Sequence, residues 1–349
     1  TLVAGPPAVR LPRLGPWRFH AEAPESQLGF DDSGWTKADH ATTKNLVYWT
    51  ALGGPEPVLF MDDYGFHYGN VWYRGHFTAT GSQSSLSLSC ATGGPPAVCS
   101  AWLNGHFLGT WTPGPNSPTT DTFSIPRGLL RVGQDNVISV LAENEGHPED
   151  FATSLELQKQ PHGLISATLR SSSPVEPAIA WRIQGDLGGE HPVDRLHGPL
   201  NNGGLFGERM GWYEPGYRLG AAWQPVSLPD RWSARHVPPG VGWYHTTFRL
   251  NLPRGVDVPL GLRIGDSPRY AYEALIFVNG WMMGRYVNNL GPQHLFYLPA
   301  GPVLDEHGRN VVAIAVLSHG ADGSGGGLGR VSLQAYGRYR GLDLSPPRP

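Results

Sequence analysis

Charge is in short supply: Asp, Glu, Lys and Arg make up 16% of the 349 residues, with a formal net charge of −3. No run of Lys or Arg exceeds a pair, so nothing offers to displace counterions from a phosphate backbone, and nucleic acid is not an expected partner. Long apolar runs are missing as well. The longest, residues 310–317, falls far short of the roughly 20 residues of a membrane-spanning helix, so no membrane is expected either. Helical periodicity is nearly absent; the nearest stretch, 148–155, would make about one or two turns. That removes the strand-and-helix alternation of a (β/α)8 barrel, which takes about 250 residues.

Cysteine occurs only twice, at Cys90 and Cys99, and without His at ligand spacing the pair does not make a zinc site. The two bracket a turn-rich Ala-Thr-Gly-Gly-Pro-Pro-Ala-Val between strand-like segments 85–90 and 98–103. If those strands pair as a hairpin, the cysteines face each other at a spacing a disulfide accepts, which would imply an oxidising, extracytoplasmic setting. The alternative is two unpaired thiols that are near only in sequence. No Gly-x-Ser-x-Gly elbow is present, which argues against a nucleophilic Ser-His-Asp hydrolase. The glycine-rich stretch 323–327 lacks the Lys-Ser/Thr and the helix that follow a phosphate loop, and reads as a flexible loop. His67, His76, His106 and His294 scatter without ligand spacing and read as surface or satisfied imidazoles. No metal or other cofactor is expected, although a structural Ca²⁺ held by loop carbonyls and carboxylates would leave no spacing signature.

What is present in quantity is Gly (47), Pro (33) and Trp (12), in a chain that is still 40% hydrophobic. Many short strands reversed by Gly/Pro-rich turns is the composition of sandwiches and barrels, so an all-β fold is expected. Ser85–Ser89 and Phe248–Leu252 alternate as strands with one buried face do. The chain also repeats itself. Trp17-Arg-Phe answers Trp181-Arg-Ile, and Trp35 answers Trp223. Gly69-Asn-Val-Trp-Tyr-Arg-Gly-His-Phe answers Gly240-Val-Gly-Trp-Tyr-His-Thr-Thr-Phe. Trp102-Leu-Asn-Gly answers Phe277-Val-Asn-Gly, and Asn136-Val-Ile-Ser-Val answers Asn310-Val-Val-Ala-Ile. A period of about half the chain means two whole domains, expected at 1–172 and 173–349 with the joint near 171–174. Asn104-Gly105 and Asn279-Gly280, each between apolar runs, predict a two-residue hairpin in each domain.

Hydrolysis of a glycoside needs two carboxylates about 5–10 Å apart on a rigid scaffold. Asp31-Asp32 and Asp62-Asp63 read as turn residues. Glu208, Glu214 and Glu273 stand in apolar or aromatic company, but without a barrel to carry them no catalytic residue is expected. Sugar-binding modules set Trp and Tyr faces against a pyranose and read its hydroxyls with Asn, Arg, Glu and His. Two segments qualify: Trp281, Tyr286, Asn288, Asn289 and His294, and Glu208, Arg209 and Trp212. A weaker group is Trp102, Asn104, Trp111 and Asn116. The competing reading is that Trp and Tyr in alternating strands are core, and that Asn before Gly serves its backbone.

Several long motifs carry a resemblance. Asp62-Asp-Tyr-Gly-Phe-His-Tyr-Gly-Asn followed by Trp72-Tyr-Arg-Gly-His-Phe, then Arg182-Ile-Gln-Gly-Asp-Leu-Gly-Gly, Arg195-Leu-His-Gly-Pro-Leu-Asn-Asn-Gly-Gly-Leu-Phe-Gly-Glu-Arg and Val278-Asn-Gly-Trp-Met-Met-Gly-Arg-Tyr-Val-Asn-Asn-Leu-Gly-Pro resemble the C-terminal jelly rolls of multidomain β-galactosidases of glycoside hydrolase family 35. The resemblance runs over nearly the whole chain. It implies two tandem galactose-binding-domain-like jelly-roll sandwiches, secreted, that pack on a catalytic (β/α)8 barrel supplying the catalytic pair. Galactose-containing oligosaccharides become candidate ligands. Three readings follow: an accessory region with an apolar patch for the barrel, an autonomous carbohydrate-binding module with an exposed aromatic platform, and a self-sufficient glycosidase with a converging carboxylate pair.

Overall fold

A computed structural model describes residues 9–45, 57–93, 97–113, 119–146, 161–172, 176–186, 194–201, 203–320, 325–336 and 339–340. The stretch 148–155, Asn116, the Pro174 end of the expected joint, and Gly323 and Ser324 of the glycine-rich loop lie outside the described residues. The first half contains β1 (Trp17–Glu22), β2 (Thr36–Lys37), β3 (Gly69–Thr78), β4 (Gln83–Ala91), β5 (Cys99–Leu103), β6 (His106–Trp111), β7 (Thr119–Ser124), β8 (Asp135–Asn144) and β9 (Gly163–Ser171). Next come β10 (Ala180–Gly185), β11 (Gln224–Val226), β12 (Asp230–Arg231), β13 (Val241–Arg249), β14 (Val256–Asp257), β15 (Leu260–Gly265) and β16 (Tyr272–Val278). The last are β17 (Trp281–Val287), β18 (Leu295–Leu298), β19 (Arg309–Ser318), β20 (Gly327–Leu328), β21 (Arg330–Ala335) and β22 (Tyr339–Arg340).

The fold is all-β, as the composition requires. In one sandwich a six-stranded sheet ordered β2-β10-β3-β8-β5-β6 is closed by a three-stranded sheet β7-β4-β9. In the other, β11-β1-β13-β19-β16-β17 is closed by β18-β15-β21. The first core gathers Tyr73, Leu86, Leu88, Ile138, Val140 and Trp181, and the second Trp17, Phe19, Tyr244, Ile276, Tyr286 and Ile314.

A cut between residues 172 and 173 does not separate these sandwiches, and this corrects the expected domain boundaries. β1, at the start of the first half, pairs with β11 and β13 in the second sandwich, while β10, at the start of the second half, pairs with β2 and β3 in the first. These two strands are the Trp-Arg-Phe and Trp-Arg-Ile copies of the repeat. They take equivalent places in the same register: Phe19 lies opposite Tyr244, and Ile183 opposite Tyr73. Each repeat therefore lends its first strand to the other. The crossing segment after β1 is fixed by the buried Arg74, which donates to Asp32 at 2.6 Å, to the Gln27 carbonyl at 3.0 Å and to the Glu25 carbonyl.

The apolar run 310–317 has a simple physical origin. Val312, Ile314 and Val316 of β19 enter the second core, while Ala313, Ala315 and Leu317 enter a third cluster on the opposite face of the sheet. A strand buried on both faces has no polar alternation to show.

The Asn-Gly hairpins form as predicted. Asn104 and Asn279 have φ of 52° and 48°, with positive φ at Gly105 and Gly280, as a type I′ turn demands. Their side chains do more than permit the turn. Asn104 donates to Asn136 Oδ1 at 2.8 Å and accepts from the Val137 amide at 2.9 Å; Asn279 bonds Asn310 and the Val311 amide in the same way, at 2.7 and 2.8 Å. The repeated spacing of these asparagines is thus the record of a hydrogen-bonded pair.

Cys90 and Cys99 are bonded to each other, with Cα atoms 6.8 Å apart, but the expected hairpin between their strands is absent. β4 pairs with β7 and β9, and β5 with β6 and β8. The bridge joins the two sheets of the first sandwich through its core, because Cys90 on β4 and Cys99 on β5 lie in different sheets.

Candidate functional site

The two six-stranded sheets turn their outer faces towards each other. Trp72, Trp102 and Leu141 from one meet Val241, Trp243, Leu275 and Phe277 from the other, with Leu205, Trp212, Tyr213 and Trp223 of the connecting segment between them. Trp72 and Trp243, repeat equivalents, are both fully buried here. This seam holds two concave features.

The first is a buried ionic cluster. Glu143 at the end of β8 and Glu273 at the start of β16 converge from opposite sandwiches on Arg285 of β17, which also pairs with Glu145. His319 Nε2 lies 3.7 Å from Glu143 and 3.8 Å from Glu273, and the Val98 amide donates to Glu143 at 3.0 Å. Burial opposes ionisation, yet His319 and Arg285 hold Glu143 below the usual carboxylate range. Burial wins at Glu273, raised to about 7 against the pull of Arg285. The adjoining cavity, lined also by Glu208 and Asp186, encloses about 20 Å³. A volume of that order holds about one water, not a sugar ring. The converging carboxylates that a glycosidase needs are thus present but clamped by a guanidinium with no room for a glycosidic bond. Glu214 stands apart, beside His197 at 3.7 Å.

The second feature is a groove of about 350 Å³ where β1, its following turn, the β5–β6 hairpin and the helical turn Phe206–Arg209 meet. Its walls include Trp102, Phe107, Phe206, Trp212 and His20. The Trp102 and Phe107 rings lie 5.6 Å apart, and Trp212 lies 4.7 Å from His20 and 5.8 Å from Phe206. Glu22 also lines it. One Glu22 oxygen accepts from the Gly207 amide at 2.9 Å and from the Trp243 indole, while the other is buried with no hydrogen-bond partner among the described residues. Burial, with Glu25 adding its charge, raises the Glu22 carboxyl to about 8, so near neutral pH it is largely the protonated acid.

The residues expected to bind sugar are not brought together. Tyr286 is buried in the second core, and its hydroxyl donates to Asn288 at 2.5 Å. Asn288 is turned inward, donating to the Ser267 and Tyr270 carbonyls at 2.7 Å each. Trp281 is half-buried against that core with its ring 4.8 Å from His197; His294 is half-buried beside Tyr286; Asn289 is exposed in a turn. An aromatic platform over 281–294 is therefore replaced by core packing. Glu208, Arg209 and Trp212 lie at the seam instead. Glu208 accepts the Leu205 amide at 2.9 Å, Arg209 pairs with Glu25 and donates to the Gly204 carbonyl at 2.7 Å, and Trp212 is buried. Sequence reasoning passed over Glu22, Glu143, Arg285, His319, His20, Phe107 and Phe206. One signal was available: Glu143 follows the run 137–142, apolar but for Ser139, near the end of a buried strand, an unusual place for a charge.

The chain matches the model of the family described as "Beta-galactosidase second all-beta domain" twice, over residues 30–148 and 206–322. Both matches start after the exchanged strands. It is similar to β-galactosidase A of Aspergillus niger, with 38% identity over 333 residues that cover 94% of this chain and 31% of the relative. β-Galactosidase A of a Penicillium species is 37% identical over 91% of this chain and 31% of its own length. A probable β-galactosidase C of Neosartorya fischeri is 35% identical over 97% of this chain and 33% of its own. The chain spans about a third of the length of the curated relatives it matches.

Proposed function

Because the chain belongs to the family of β-galactosidase second all-β domains, we propose that it is the non-catalytic accessory region of a larger, secreted β-galactosidase of glycoside hydrolase family 35. It acts as a rigid two-sandwich body that packs on a separate catalytic (β/α)8 barrel. The observation that carries this reading is the chain's share of its relatives, about a third of their length, together with a clamped carboxylate cluster that leaves no room for a glycoside. Apolar side chains left in solvent support a docking role: Leu196, Leu200, Met210 and Leu219 are 36–76% exposed and all lie on the segment that joins the two sandwiches. Large exposed apolar groups gathered on one stretch mark an interaction surface. The buried Cys90–Cys99 bridge is in keeping with an oxidising, extracellular setting.

The test is reconstitution. The catalytic region of a relative such as the Aspergillus niger enzyme, produced alone, is expected to lose thermal stability, and addition of this chain is expected to restore it and to fail with Leu196→Asp/Met210→Asp. A catalytic region equally stable and active with or without this chain would refute the scaffold reading. Turnover of a chromogenic galactoside by this chain alone would refute the non-catalytic one.

A further inference from the structure

We propose that the groove at the seam is a binding site for a single neutral pyranose, seated between the aromatic walls with its hydroxyls read by Gln27 and His20. The inference is independent of docking on a catalytic domain. Four observations carry it. The volume, about 350 Å³, sits at the low end of the roughly 300–1,000 Å³ of small-molecule sites, which suits one ring and its substituent rather than a chain of sugars. The walls are aromatic and come from three separate elements, so the cavity exists only in the assembled two-sandwich body: Trp102 and Phe107 from the β5–β6 hairpin, Phe206 and Trp212 from the connecting segment, and His20 from the exchanged β1.

Charge selects the ligand class. No Lys or Arg is among the groove's described lining residues, so a phosphate or carboxylate ligand would find no counter-charge. A purely apolar ligand fits no better, because it would cover the polar side chains of His20, Ser26 and Gln27 that line the groove, and a polar atom buried without a partner is costly. A ring with an apolar face and a rim of hydroxyls satisfies both walls and polar groups. The backbone is also shaped for this place. Ala23, on the groove wall, holds φ 151° and ψ 53°, a conformation that side-chain-bearing residues adopt rarely and that concentrates at ligand sites. Gly105 lets the Gln27 amide lie over the hairpin: a Cβ there would stand 2.7 Å from Gln27 Oε1.

The experiment is calorimetric titration of the whole chain, with intrinsic Trp fluorescence in parallel, using methyl β-galactopyranoside and lactose as probes and a proline-rich peptide as the apolar control. Saturable binding of the glycoside is expected, with Kd raised at least about tenfold by Phe107→Ala and by Gln27→Ala, equivalent to about 1.4 kcal/mol. Trp281→Ala, outside the groove, is expected to leave it unchanged. Gln27 is exposed, so its variant keeps the test readable if Phe107→Ala does not fold. Equal affinity for both probes would place a lone ring in the groove, and tighter binding of lactose a ring with its neighbour; either supports the site. Absence of saturable sugar binding, preference for the peptide, or sugar binding that survives Phe107→Ala and Gln27→Ala overturns it.

Discussion

The reciprocal loan of β1 and β10 makes a sharp prediction about fragments. Fragment 1–172 contains every strand of the first repeat but lacks β10, whereas fragment 24–186 drops β1 and keeps β10. β10 places Trp181 and Ile183 in the first core at 5% and 0% exposure, and burying two such side chains is worth about 4–6 kcal/mol. All six of its residues are in register with β3, which adds about 1 kcal/mol for each net hydrogen bond of the ladder. Ordering the six residues of the strand offsets part of this gain, at about 1–2 kcal/mol each, but a chain without β10 also leaves the places of Trp181 and Ile183 in the core empty and the β3 edge unpaired, a heavy loss for a domain whose whole stability is about 5–15 kcal/mol. Fragment 24–186 is therefore expected to melt cooperatively, followed by circular dichroism and near-UV signal, and 1–172 to show no cooperative transition. Mixing 1–172 with 173–349 is expected to restore a 1:1 complex on size exclusion. A cooperative melt of 1–172 alone, near that of the intact chain, would mean that β1 fills the slot left by β10 and that the exchange is not required.

Three further outcomes follow from the seam and the bridge. Replacing Arg285 by Met leaves Glu143, Glu145 and Glu273 without their shared cation and is expected to cost about 3–5 kcal/mol in a denaturant melt, with partial recovery in Glu273→Gln/Arg285→Met; a loss under about 1 kcal/mol would show that the cluster is not structural. The folded-state carboxyls of Glu22, at about 8, and of Glu208 and Glu273, at about 7, lie above their ordinary value. The folded protein then binds more protons than the unfolded chain from about pH 4.5 up to these raised values, so stability falls as pH rises through that window; over the part above pH 6.5 it falls by on the order of 1–3 kcal/mol and levels off past about pH 8. His245, depressed to about 4, and Glu143, held low, act only at lower pH, where they remove stability on acidification. Melting temperatures across the window, with Glu22→Gln expected to flatten the slope, decide this; a flat or rising wild-type profile contradicts it. Finally, Cys90 and Cys99 are 9 residues apart in sequence, and the entropy of closing so short a loop puts the loss in Cys90→Ala/Cys99→Ala at about 3 kcal/mol, measurable against the oxidised chain in urea.

The sequence by itself determined everything that depends on neighbours along the chain. Short strands, two copies of one pattern and the turns at Asn104 and Asn279 follow from composition, alternation and the positive φ that Asn-Gly supplies. The Asn104/Asn136 and Asn279/Asn310 spacings even preserved a tertiary hydrogen bond. Only the tertiary structure decided which copy of a strand sits in which sheet. Trp17-Arg-Phe and Trp181-Arg-Ile carry the same alternation and fit the same slot, so local pattern cannot choose between them; the path of the crossing segment, held by Arg74, does. The candidate sites were hidden for the same reason. Glu143, Glu273, Arg285 and His319 come from both halves of the chain, and the groove joins His20 to Trp102 and Trp212. Such residues acquire shifted carboxyls, Glu273 raised and Glu143 lowered, and aromatic walls when two sheet faces close on each other. Tyr286, by contrast, looked like part of a sugar platform because an aromatic strand residue reads alike whether its face meets water or a second layer.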